Sequence, residues 1–173
     1  MQFVPLLGVL FTTPLAAAAV AGQNLGAGRP DRADAAVHVA ARFGFAGAAV
    51  IGFFFLVFPR QLLAIFGMTD PAVVEIGVPL LRILSFSGLL IAVALTYTGG
   101  LQGTGDTKSP LLITLVSQVA VPIGLCTVLQ GLRQLQPADI WLAILAGHMA
   151  RCVLSVLRFN QGKWRNIRVD IGR

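Results

Sequence analysis

The sequence predicts an all-α fold, a polytopic membrane helical bundle of about five transmembrane helices. Three observations carry that expectation. The 173 residues are 56% hydrophobic and 12% charged, with a mean hydropathy of +0.82, whereas soluble domains carry about 25% charged residues. Several apolar runs approach or exceed the roughly 20 residues that cross a bilayer. Polar punctuation separates the runs, most densely at residues 99–110, GGLQGTGDTKSP. The net charge of +6 sits in loops and tail. For a membrane chain that is the positive-inside bias rather than a nucleic-acid footprint.

The first span covers about residues 3–21. Small residues at 17–21 have signal-cleavage spacing, but no basic segment precedes them and Pro5 and Pro14 interrupt the run, which favours a bent transmembrane helix. Residues 22–32 form a loop, and Pro30 begins the next helix. Asp31 and Asp34 have the spacing of a magnesium-diphosphate motif. Interleaved with Arg29 and Arg32, and lacking a second acidic motif, they read instead as first-turn carboxylates favoured by the helix dipole.

The second span covers about residues 37–58. Ala36, Ala40, Gly44, Ala48 and Gly52 recur every four residues, a small-residue stripe that permits close helix packing in a membrane. Phe43, Phe54 and Phe58 lie on the other side, and His38 reads as an interfacial residue rather than a proton relay. A connector over residues 59–71 contains an amphipathic piece at 62–66 and ends on Asp70-Pro71, an N-cap and first-turn proline. The third span, about 72–98, exceeds one crossing, so Glu75 falls in the headgroup zone and Arg82 a turn or so inside.

The fourth span covers about residues 111–129, with Gln118 near its middle and Pro122 as an expected kink. A polar loop at 131–137 leads to the fifth span, about 140–157, where Trp141 suits an interfacial anchor. The tail is basic, with Lys163, Arg165, Arg168 and Arg173, and Trp164 is expected among headgroups. Cys126 and Cys152 lie in apolar runs and read as small buried residues, not a disulfide. Five spans place the ends on opposite sides. The basic residues Arg29, Arg32, Lys108 and the tail then share the cytoplasmic side, with the N-terminus outside.

Residues 99–110 form a hinge between two membrane-length helices. Their glycines allow close approach and positive φ. Asp106 is placed to take up freed backbone N–H groups or to pair with Lys108, and Ser109-Pro110 reads as the next N-cap and first helical proline. Gly103, Gly105, Asp106 and Pro110, with Leu101-Gln102 and Thr107-Lys108, resemble the hinge of the multidrug and toxic compound extrusion (MATE) transporters. Upstream, Gly22, Gly26 and Gly28 within GQNLGAGR resemble the family's conserved cytoplasmic loop, in the same order and one two-helix hairpin apart.

The resemblance implies a two-lobe, twelve-helix fold, of which residues 1–158 are a partial C-terminal lobe and 159–173 a basic cytoplasmic tail. It implies a secondary transporter of the bacterial inner membrane that expels drugs or organic cations by proton or sodium antiport. The coupling carboxylates have no place in these spans, so the cation site is expected in the missing lobe, and no cofactor is expected. Partners are the bilayer and an N-terminal lobe or second chain. Arg82, Ser85 and Gln118 are candidates for the solute path. The plainer alternatives are snorkelling of Arg82, helped by Glu75, and an interhelical hydrogen bond from Gln118. A lipid-linked sugar flippase of the same superfamily and a non-transporting fragment are the competing readings. No HExxH, CxxC, P-loop or GxSxG motif argues for an enzyme.

Overall fold

The structure, a computed structural model, describes residues 4–167, with side chains from Thr13 onward. Arg168 and Arg173 lie outside the described residues. Among the described residues seven α-helices follow in order: α1 Val4–Gly26, α2 Pro30–Val57, α3 Pro59–Ile65, α4 Pro71–Gly103, α5 Lys108–Leu115, α6 Val121–Leu132 and α7 Pro137–Asn160. A π turn at Val116–Ala120 joins α5 to α6 as one rod, and a 3-10 turn at Lys163–Asn166 follows α7. Among the described residues four rods are long and apolar enough to cross a membrane: α2, α4, α5–α6 and α7. The fifth expected span is α1, whose 23 residues extend roughly 34 Å.

Local chemistry sets the helix ends. Asp70 caps α4, accepting the N–H of Ala72 at 2.8 Å, with Pro71 at the first position. Asp139 of α7 accepts the N–H of Gln136 at 3.0 Å and pairs with Arg133. At the end of α1, Gly28 has φ +69, and Gly28 and Arg29 donate back to Leu25 and Asn24. At the end of α4, Gly105 has φ +92, and Gly105 and Asp106 donate back to Gln102 and Leu101. Both are the left-handed glycine stop in which two N–H groups satisfy orphan carbonyls of the last turn. Gly28 and Gly105 therefore end two helices by the same device.

The long helix α4 is the spine, packed on α1, α2 and α7. The small-residue face of α2 does bury, but in a drifted register. Ala33, Val37, Ala41, Gly44, Ala48 and Gly52 are covered, while Ala36 and Ala40 are only half-buried. An α-helix drifts relative to a strict four-residue repeat, so the contact line shifts by one position toward the N-terminus. Phe43, Phe54 and Phe58, on the other side, are exposed.

Pro122 sits at the start of α6, directly after a π turn. Lacking an N–H, it interrupts the hydrogen-bond ladder. The chain answers with a π turn, in which Val121 donates to Val116. Ser117 is fully buried there and donates to Ile113 at 2.6 Å. The hydroxyls of Thr96 and Thr104 likewise bond to carbonyls within α4, and Thr98 and Ser155 share a bond of 3.3 Å between α4 and α7. Polar groups in a hydrocarbon medium need such internal partners.

Candidate functional site

The two glycine motifs meet in space. A Cβ on Gly22 of α1 would stand 2.6 Å from the Gly103 carbonyl oxygen of α4. A Cβ on Gly103 would collide with the Ala18 carbonyl, and one on Gly99 with the Pro14 carbonyl. The helices thus touch backbone to backbone over two turns, an approach open only to glycine at these positions. Gly100 faces Val37 and Phe159, and Pro110 is fully buried. Gly26, by contrast, is exposed with nothing within 4 Å of its would-be Cβ.

Asp106 follows the α4 stop and is 6% exposed. Its carboxylate accepts the Ser109 N–H at 3.1 Å and hydroxyl at 2.8 Å, so Asp106 caps the following helix and Ser109 does not. As a result α5 begins at Lys108, two residues before Pro110. The cationic partner is Arg158 of α7, whose Nε and Nη2 donate at 3.0 and 2.7 Å, not Lys108, which is exposed. Burial pushes the Asp106 carboxyl up. The donors from Ser109 and Arg158 outweigh it and hold the group below the usual carboxylate range.

The tail closes over this end. Trp164 is fully buried, stacked on Phe159 with ring centroids 5.0 Å apart, and donates its indole N–H to the Phe159 carbonyl at 2.9 Å. It is therefore in the protein core and not among headgroups. Arg165 pairs with Asp31 at 3.1 Å and Asp34 at 3.4 Å, so these first-turn carboxylates also tie α2 to the tail. His38 shares a 2.8 Å hydrogen bond with the Tyr97 hydroxyl, and its other ring nitrogen lies 3.6 Å from Asp34. The boundary drawn at residue 158 falls inside α7.

The three candidate path residues are not brought together. Arg82 is exposed, and among the described residues no ion pair joins it to Glu75. Ser85, one turn on, is buried; it donates to the Arg82 carbonyl at 2.7 Å and lies against Gly52 of α2. Gln118 sits in the π turn that packs on α7. Its amide nitrogen is buried without a hydrogen-bond partner, as are His148 Nδ1 and Arg151 Nε of α7. Sequence reasoning missed Arg158 and Tyr97, whose partners Asp106 and His38 lie more than fifty residues away, and it placed Trp164 among headgroups although its stacking partner Phe159 is close in sequence. It also missed His148 and Arg151 beside the π turn.

The fold and this end of the bundle define a polytopic helical membrane protein with two matched glycine stops. The family model described as MatE matches residues 1–128, and the chain belongs to that family. It is 26% identical over 95% of its length to a probable multidrug resistance protein NorM of Thermotoga maritima. It is 31% identical over 79% of its length to a probable NorM of Deinococcus radiodurans, and 28% identical over 87% to the multidrug resistance protein MdtK of Yersinia pestis. These matches cover 34%, 32% and 34% of the relatives, so the chain spans about a third of their length. No solved structure matches the chain.

Proposed function

We propose that the chain is the C-terminal lobe of a two-lobe secondary transporter in the bacterial inner membrane. With its partner lobe it expels drug-like solutes or organic cations by alternating access, coupled to proton or sodium entry through a site outside these residues. The relatives' names, two of them NorM and one MdtK, support multidrug efflux as the activity. The basic hinge end and tail support a cytoplasmic C-terminus.

The observation that carries the reading is the contact of Gly22 and Gly103 beside the stops at Gly28 and Gly105. Stiff rods that touch without intervening side chains, and end in short glycine turns, suit a lobe that rocks as one body. Asp106 and Arg158 fix α7 to that pivot. Arg82, Ser85 and Gln118 remain the candidates for the solute path, Gln118 having the strongest claim because its buried amide has a donor to offer.

The test replaces the matching third of the Thermotoga maritima relative with this chain and reads ethidium efflux against membrane insertion. Gly103→Val and Asp106→Ala are expected to reduce efflux at least about tenfold, the rate equivalent of 1.4 kcal/mol, while insertion stays near the parent level. Equal losses of both would reduce the motif to a folding role. Unchanged efflux in Arg82→Ala and Gln118→Ala would remove those residues from the path.

A further inference from the structure

We propose that a cleft between α2, α4 and α7 is a binding site for one anionic phospholipid of the surrounding bilayer. The cleft is a largely open groove of about 380 Å³ lined by His38, Arg42, Phe45, Val93, Tyr97 and Val156. That volume is within the range of small-ligand sites, enough for a phosphoglycerol headgroup while the acyl chains lie outside. Phe45 of its lining is an exposed apolar side chain, which suits those chains.

The charge pattern selects the headgroup. Arg42 is exposed and lies roughly 8 Å inside the second span, which begins near residue 37, and no ion pair joins it to a carboxylate among the described residues. A cation at that depth needs an anion or a route to the interface. The other charged groups near the cleft are already matched. Asp34 is held by Arg165 and approached by His38, and His38 is bonded to Tyr97. Arg42 is thus the free cation of the cleft. An arginine stem is long enough to reach the nearby interface, where anionic headgroups gather. Basic pockets between helices on that side take phosphate-bearing lipids by this chemistry.

The test uses the full chain in detergent with equimolar dioleoyl phosphatidylglycerol and dioleoyl phosphatidylcholine, and counts retained lipid by native mass spectrometry. One phosphatidylglycerol is expected to be retained about fivefold over phosphatidylcholine, the selectivity one basic residue near a membrane supplies. Arg42→Gln abolishes that preference, Arg42→Lys keeps most of it, and Arg60→Gln, on exposed α3, leaves it unchanged. The parent and Arg42→Lys together keep the test decisive if Arg42→Gln fails to fold. No preference in the parent, an equal loss in Arg60→Gln, or displacement by a millimolar excess of inorganic phosphate would each overturn the assignment. The last result would make the ligand a free anion rather than a lipid.

Discussion

Gly22 and Gly26 stand one helical turn apart in α1, yet the same change has opposite consequences at the two positions. Gly22→Ala drives a methyl group against the Gly103 carbonyl, whereas Gly26→Ala meets nothing within 4 Å. Thermal unfolding in detergent is expected to show Gly22→Ala destabilised by about 1 to 3 kcal/mol. Gly26→Ala should be neutral or slightly stabilised, since alanine favours a helix by about 1 kcal/mol over glycine. The sequence motif places both glycines alike. Only the crossing of α1 over α4 separates a contact glycine from an open one.

Asp106 carries a pH signature of its own. Its carboxyl is held below the ordinary range, so the folded state binds the proton more weakly than the unfolded chain. The contribution is fully present above the unfolded value and is lost as pH falls through the lower, folded value. Acid titration of unfolding should show a loss of stability below about pH 4 in the parent, and a shallower loss in Asp106→Asn. In a double-mutant cycle, Asp106→Asn and Arg158→Gln should couple by about 1.5 kcal/mol, the low end for a charged hydrogen bond. Arg158 is 25% exposed, which screens the pair. Additive effects would show that the two side chains merely adjoin.

At the scale of the element, the π turn and the tail carry the argument. A Cβ on Gly147 of α7 would stand 2.5 Å from the Ser117 carbonyl and 3.0 Å from the Pro122 ring, while Gly124 of α6 has open space. Gly147→Leu should therefore loosen α7 from the α5–α6 rod and lower the unfolding temperature, and Gly124→Leu should leave it unchanged. Trp164→Ala removes a fully buried indole, and a cost of about 3 to 5 kcal/mol is expected in the same assay. A smaller loss would mean that the tail lies loosely on the bundle.

These elements also show what was legible in the chain. Helix existence and order follow from apolar length and Gly/Pro punctuation, which are local. The Asp70 cap and the exposed face of Phe43, Phe54 and Phe58 follow from local chemistry too. Three features are not local. Pro122 signals a break in the ladder, but that Ser117 at this break packs against Gly147 of α7 is visible only in the fold. Trp164 reads as interfacial because a tryptophan beside lysine and arginine normally is, and the fold instead places it in a core cluster that draws Ala17, Ala33 and Leu101 from distant helices. Asp106 has Lys108 nearby in sequence, and the fold offers it Arg158 with better geometry.

On the scale of the whole molecule, the chain is a bundle whose firmest packing lies at one end. Ala17, Ala21, Ala33, Val37, Leu101, Phe159 and Trp164 form that core, and Arg165 and Arg158 tie the tail and α7 across it. Much of the remaining surface is apolar, as a membrane helix bundle requires, and α5–α6 is covered along little of its length. Close packing at the end of the two glycine stops, with little cover elsewhere, is what the proposed lobe would need. The chain spans about a third of its relatives' length.

The most direct measurement is ethidium efflux from energised, drug-sensitive bacteria carrying this chain alone, with membrane insertion followed in parallel. The account predicts insertion without efflux, and gradient-dependent efflux once the chain replaces the matching third of the Thermotoga maritima relative. Proton- or sodium-driven efflux by the chain alone would contradict it, because the cavity and the coupling site would then have to lie within these helices.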